Sequence, residues 1–399
     1  RQFFPGLCNL QTQGGQKPMR WTLLLCILIP AFGASQDFPR SDFNLEKLVD
    51  EIFPMQDLDL NYDELYENLA QLLCNPYDLN SVTQEQLRSL LVLTEGEINS
   101  FLNHRTQYGP FISVYELQAI PGWTRQTFDK VIPFVLVTEQ QSKFNASIFK
   151  RAFEEQNNYL LLRVERSLET KKGYLTDTEP SQHYAGSPEK LYARFRVSRS
   201  NDFSFGFTLE KDPGETMTWQ PAQSQYGFDY ISFHGQVQNK GRITNLIVGD
   251  YQCQFGQGLV LGSVFGFGKN AETITTVRRS NLGFLPYTSA SENTFLRGVA
   301  STVTLSRLVY FHSFISRALR DGNQSETEGN SFATSLSASG LHRTSSEIED
   351  RQKIEEVDYG AVIQYKKQAL DAGVIYHHIN LSSPLLRDPT PYNQRSEEH

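Results

Sequence analysis

From about residue 142 onward, apolar and polar side chains alternate with a period of two. In KLYARFRVSR (190–199), Leu191, Ala193, Phe195 and Val197 alternate with Tyr192, Arg194, Arg196 and Ser198. In FSFGFTLEK (203–211), Phe203, Phe205, Phe207 and Leu209 alternate with Ser204, Gly206, Thr208 and Glu210. The pattern recurs over 158–166, 230–237, 357–365 and 370–377, and more loosely over 242–250, 297–305, 308–316 and 332–340. These segments run to about ten residues, the length of a tilted membrane strand. Short links such as Arg199-Ser200-Asn201-Asp202 predict antiparallel hairpins.

Upstream the period is helical. Leu45, Leu48, Val49 and Ile52, then Leu65, Leu69 and Leu72, recur at spacings of three and four. The acidic run MQDLDLNYDEL between them lacks the glycine turn and closing Glu of a calcium loop, so it reads as a solvated helix entry. Asn80-Ser81 is positioned to cap a helix through QEQLRSLLVL. A second helix, EGEINSFLNHRTQY, carries Ile98, Phe101 and Leu102 on one face and stops at Gly109-Pro110. Ser113 and Glu116 form a capping box for VYELQAI. Pro121-Gly122 makes a tight turn, and Thr124 caps a last helix through Val131. The outcome is two helix–hairpin–helix units in tandem.

Composition changes the picture in one respect, compartment. Met19-Arg20, the apolar run WTLLLCILIPAF and the small residues Gly33-Ala34-Ser35 have the layout of a secretory signal peptide. The mature chain is expected to begin near Gln36, with residues 1–18 an upstream extension. Cys74 and Cys253 then remain, too few for a disulfide framework, and are expected as buried thiols. Export, aromatic-rich apolar faces and arginines such as Arg163, Arg194 and Arg196 on the opposite face turn the apolar side outward. That predicts an outer-membrane barrel with Phe195 on lipid and Arg196 in the lumen; a secreted soluble β-rich binding protein is the alternative. The chain closes on NQRSEEH, without a terminal aromatic strand, so the barrel is expected to be incomplete.

Residues 78–137 resemble the tandem helix–hairpin–helix module of the competence DNA receptor ComEA. The likeness rests on LNSVTQEQLRSL, the linker YGPFISVYELQAIPGW and the closing DKVIPFV. The layout also resembles Bacteroidota-type envelope proteins in which such a module precedes a barrel-like region; LEKDPGE, GDYQCQFGQGLVLGSVFGFGK and PYTSASENTFLRG carry that likeness. The resemblance implies a turn whose backbone N–H groups meet a phosphate. In this chain the candidate nucleic-acid-binding residues are Gly122, Trp123, Thr124, Arg125 and Lys130 of the second hairpin. The first hairpin, Leu91-Val92-Leu93-Thr94, has no glycine, and Glu95 and Glu97 sit where a phosphate would. Residues 36–140 hold 17 acidic against 6 basic side chains, a balance of −11. That charge disfavours DNA and favours a structural or protein-binding use.

Other motifs fail on spacing. FGFGKN lacks the first glycine and the Ser/Thr of a phosphate loop. His312 and His377-His378 have no partner at metal spacing, and Asp229, Tyr230 and His234 do not define an acid–base set. No serine or cysteine lies in a nucleophile elbow. The expected fold class is therefore α+β and multidomain. It comprises an extension and signal peptide (1–35), a helical segment (36–77), a tandem helix–hairpin–helix domain (78–140) and an antiparallel barrel region (141–399). The expected protein is non-enzymatic and needs no cofactor or metal. Its helical domain is expected in the periplasm and its barrel in outer-membrane lipid. The partner is expected to be an envelope protein, with DNA uptake through the second hairpin as the alternative.

Overall fold

A computed structural model describes residues 47–48, 69, 72–73, 76–137 except 91, and 147–386 except 156, 176–178, 222–224, 263–280, 293, 328–329, 338 and 368–369. The chain divides into two compact units, 1–37 and 38–399, and every described residue belongs to the second. The expected signal segment, most of the first helical stretch, Cys74, FGFGKN and the polar tail lie outside the described residues.

Three α-helices follow the 3.6 pattern: α1 (Gln84–Ser89), α2 (Glu95–Tyr108) and α3 (Arg125–Val131). Between α2 and α3 the segment Val114–Ala119 winds as a 3-10 helix, with the capping box of Ser113 and Glu116 in place. Ile98, Phe101, Leu117, Phe128 and Val131 join Leu79, Leu87 and Phe134 in one apolar core. A short parallel pair, Tyr77–Asp78 against Val135–Leu136, ties the two ends of this region together. Gly109 ends α2 with φ of +92°, a conformation open to glycine without strain. One expectation is corrected. The cap of α1 is Thr83, boxed with Gln86, and not Asn80-Ser81. Asn80 instead reaches the segment after α2, exchanging hydrogen bonds with the backbone N–H and C=O of Phe111 at 2.7 and 2.9 Å. Its amide is worth more there, because it satisfies two backbone groups at once.

After a helix α4 (Ile148–Glu154) the chain enters strands. They are β1 (Asn158–Arg166), β2 (Glu189–Arg199), β3 (Phe203–Lys211), β4 (Tyr230–Lys240), β5 (Ile243–Gln254), β6 (Gly283–Pro286), β7 (Leu296–Ser306), β8 (Val309–Arg320), β9 (Gly322–Thr327), β10 (Asn330–Leu336), β11 (Ile354–Lys367) and β12 (Leu370–Leu381). One antiparallel sheet runs β12-β11-β8-β7-β5-β4-β3-β2-β1, with β6 added on β5. The fold is thus α+β and mainly antiparallel. Among the described residues the sheet is open, with β1 and β12 at its edges, and not a closed barrel. The alternating stretch 332–340 does not join this wall. Its first part lies in β10, which pairs with β9 in a separate hairpin and bridges Leu385 through Ala333.

Connections at the two ends of the sheet differ. At one end residues 200–202, 241–242, 307–308 and 368–369 join neighbouring strands. Asn201, Asn239 and Gly241 take positive φ there, as tight hairpin turns require. At the other end the links span 167–188, 212–229, 255–295 and 321–353.

The two faces of the sheet differ in exposure. A ladder row passing through Ser204, Gln236, Ile247, Ala300, Phe314 and Gly360 is buried throughout. Arg194, Arg196, Thr208, Ser232, His234, Thr302, His312, Ser316 and Asp358 share that inner face and are also buried. The adjacent row, through Val248, Val299, Ile315 and Tyr359, points the other way and is exposed. Phe233, Ile363 and Val374 extend the exposed apolar face. Phe195 is half-buried on that outer side and Arg196 is buried on the inner one, each on the face its alternation predicts.

Part of the chain covers the inner face. At Gly249, φ of +103° and a hypothetical Cβ only 2.3 Å from the Phe233 carbonyl oxygen leave room for glycine alone. Beyond it β5 gives up β4 and pairs with β6 over Tyr251–Gln254. Phe255 and Phe284 then pack on His312, and Phe284 on Phe314. With Ile247, Tyr251, Cys253 and Leu261 they make a small apolar cluster inside the sheet. Cys253 is a buried thiol, as expected.

Candidate functional site

The second hairpin is a turn over Ile120–Trp123, closed by the Trp123 N–H on the Ile120 carbonyl at 3.1 Å. Gly122 has φ of +87° and open space beyond it, and Thr124 caps α3 by accepting from the Thr127 N–H at 3.1 Å. Arg125 is 93 % exposed, with Asp129 at 3.9 Å. The turn therefore brings Gly122, Thr124 and Arg125 together. Trp123 faces inward: its indole N–H donates to the Glu97 carbonyl at 3.0 Å and its ring lies beside Phe101. Lys130 sits in the last turn of α3, at the far end from the hairpin.

Glu97 decides the electrostatics of both hairpins. One carboxylate oxygen accepts from the Thr94 N–H and hydroxyl, each at 2.8 Å, capping α2. The other accepts from the Thr127 hydroxyl at 2.7 Å, in the first turn of α3. An internal carboxylate thus occupies the space near two helix N-termini that a phosphate would seek. The nearby cations are committed as well. Arg88 pairs with Glu85 and Glu95. Arg105 donates to the Leu79 and Val82 carbonyls at 2.8 and 2.9 Å. Burial lowers the pKa of that guanidinium.

A second constellation lies at the end of the sheet with the long connections. Glu215 and Asp229 come from the β3–β4 link, Glu292 from the link before β7, Asp321 from the end of β8, and His342 and Arg351 from the link before β11. His342 Nδ1 meets Asp229 at 2.5 Å and Nε2 meets Asp321 at 3.0 Å. Arg351 pairs with the other Asp229 oxygen at 3.1 Å. Glu215 accepts from the backbone N–H groups of His342 and Asp212 at 3.0 and 2.7 Å. Glu292 packs against Gly340, where a Cβ would come within 2.8 Å of it.

These groups set each other's protonation. Burial opposes the His342 cation, but its hydrogen bonds to Asp229 and Asp321 outweigh that and hold it at about 10. Burial, then Asp229, pushes Glu215 up to about 6. Burial, then Asp229 and Glu215, pushes Glu292 up to about 9. Asp321 also feels burial, yet the His342 and Gln352 hydrogen bonds bring it below its ordinary value. Glu215, Asp229 and His342 place ligand-type atoms within 4.8 Å of one another, a spacing a metal ion could use. Both His342 nitrogens already face carboxylates, however, which is the geometry of a paired imidazolium.

The sequence reading missed this constellation, because its members are scattered over three connections and each is ordinary where it stands. Asp229 and His234, considered together from the sequence, are apart in use: His234 meets the Ser204 hydroxyl at 2.9 Å. No family model, no curated protein and no solved structure matches the chain.

Proposed function

We propose that this chain is an outer-membrane protein of the β-barrel type without catalytic activity, whose helical region, a helix–hairpin–helix module like that of ComEA, lies in the periplasm. The inverted sheet carries the reading. Ile315, Phe233 and Val374 are 55 %, 52 % and 75 % exposed while Arg196, Ser316 and Asp358 are buried. In water such an arrangement forfeits the burial of a whole row of large apolar side chains, whereas in lipid it satisfies both faces. The contrast of short and long connections supports the same orientation, with short turns periplasmic and long loops outside. Closure of the open sheet into a barrel would remove its two exposed edges.

In this reading the helical region binds an envelope protein. Tyr108, Ile112 and Tyr115 of its linker are exposed apolar side chains, and the region is acidic. A second reading, DNA binding, draws on exposed Gly122 and Arg125, but Glu97 stands against it. Fractionation of native cells tests the main proposal: the chain should sediment with outer membrane and migrate differently on gels before and after heating. Recovery in the soluble periplasm would replace it with the secreted β-rich alternative.

A further inference from the structure

We propose that His342 is the centre of a proton-locked clasp that holds the long connections together at one end of the sheet and releases them in alkali. The geometry ties separate segments through one ring. Nδ1 reaches Asp229 beside β4, and Nε2 reaches Asp321 at the end of β8. The His342 N–H reaches Glu215, and Asp321 also accepts from the Gln352 N–H at 2.8 Å. His342, Glu215 and Asp321 are all buried. Exposed ion pairs add little to a structure, but a buried cation between two carboxylates fixes the segments that carry them.

The charged groups facing the ring are Glu215, Asp229, Asp321, Glu292 and Arg351, with Lys211, Asp212 and Arg343 next to Glu215. With every one of the first four acids ionised, four negative charges would face only two cations within the cluster itself, His342 and Arg351. Neutral Glu292 and partly neutral Glu215 remove that excess. The sign follows from linkage. His342, Glu215 and Glu292 all have raised values when folded, so their contributions are complete at low pH. They are lost as pH rises through about 6 for Glu215, about 9 for Glu292 and about 10 for His342. Asp321 is depressed, so its contribution is lost only in acid. The clasp is therefore closed in mild acid and opens in stages in alkali.

The test is proteinase K cleavage of the full-length protein in native membranes, mapped by mass spectrometry over 212–229 and 337–353. Rates are normalised to an unstructured peptide at each pH. Wild type should be cut at least about tenfold faster near pH 10 than near pH 6, the change that a single pKa unit of linkage would give. His342→Ala should be cut fast at both. Glu292→Gln, a permanent copy of the neutral acid, should stay closed to a higher pH, and it carries the test if His342→Ala does not assemble. Arg317→Ala, which breaks a pair on the outer face, should behave as wild type. Equal rates for wild type and His342→Ala near pH 6, or an unchanged opening in Glu292→Gln, would overturn the clasp. So would protection of wild type in alkali by added calcium or zinc, which would make the constellation a metal site.

Discussion

Ala361→Arg separates a lipid-facing sheet from a water-facing one. Ala361 lies on the outer face of β11, between Ser313 on β8 and Tyr376 on β12. On the same face Glu355, paired with Arg317 at 2.8 Å, marks one rim, and Tyr365 lies near the short-turn end. From Glu355 to Tyr365 the strand climbs about 34 Å. At a tilt of about 40° that becomes a height of about 26 Å, which matches the apolar band of an outer-membrane barrel. Ala361 then sits about 10 Å from the nearer rim, beyond the reach of a snorkelling arginine. A guanidinium there should cost about 2–4 kcal/mol in a bilayer. In water the same change on an outward face should stay within about 0.5 kcal/mol. Urea unfolding in lipid vesicles reads the difference as a fall of about 30-fold to about 1000-fold in the folded ratio. Ala361→Leu, apolar at the same place, should be neutral. A value for the arginine variant indistinguishable from that of the leucine variant would show that this face does not meet lipid.

Other outcomes follow from single residues. Gly249→Ala forces a Cβ into the Phe233 carbonyl at a positive φ, so β5 should no longer turn inward; loss of heat-modifiability would register this, and a normal gel pattern would refute it. Gly109→Val should destabilise the isolated region 76–137 by about 1 kcal/mol or more, read as a lower melting temperature. The same fragment should show no measurable binding to duplex DNA at about 150 mM salt. Sub-micromolar binding abolished by Arg125→Glu would promote the DNA reading.

Much of the architecture was legible along the chain, because periodicity is a local property. Alternation located nine of the ten wall segments, and the capping box Ser113–Glu116 and the cap Thr124 placed helix starts. Glycine lacking from the first hairpin and acids at Glu95 and Glu97 already argued against phosphate there. Stretch 332–340 alternates as well as its neighbours yet leaves the wall, since alternation fixes a strand's faces and not its partner. Alternation by itself does not say which face points outward; that became visible with the ladders aligned, when Val299, Ile315 and Tyr359 fell in one exposed row. His342 shows the other limit. Its partners Asp229 and Asp321 stand 113 and 21 residues away, and a hydrogen bond depends on distance in space, which no spacing along the chain encodes.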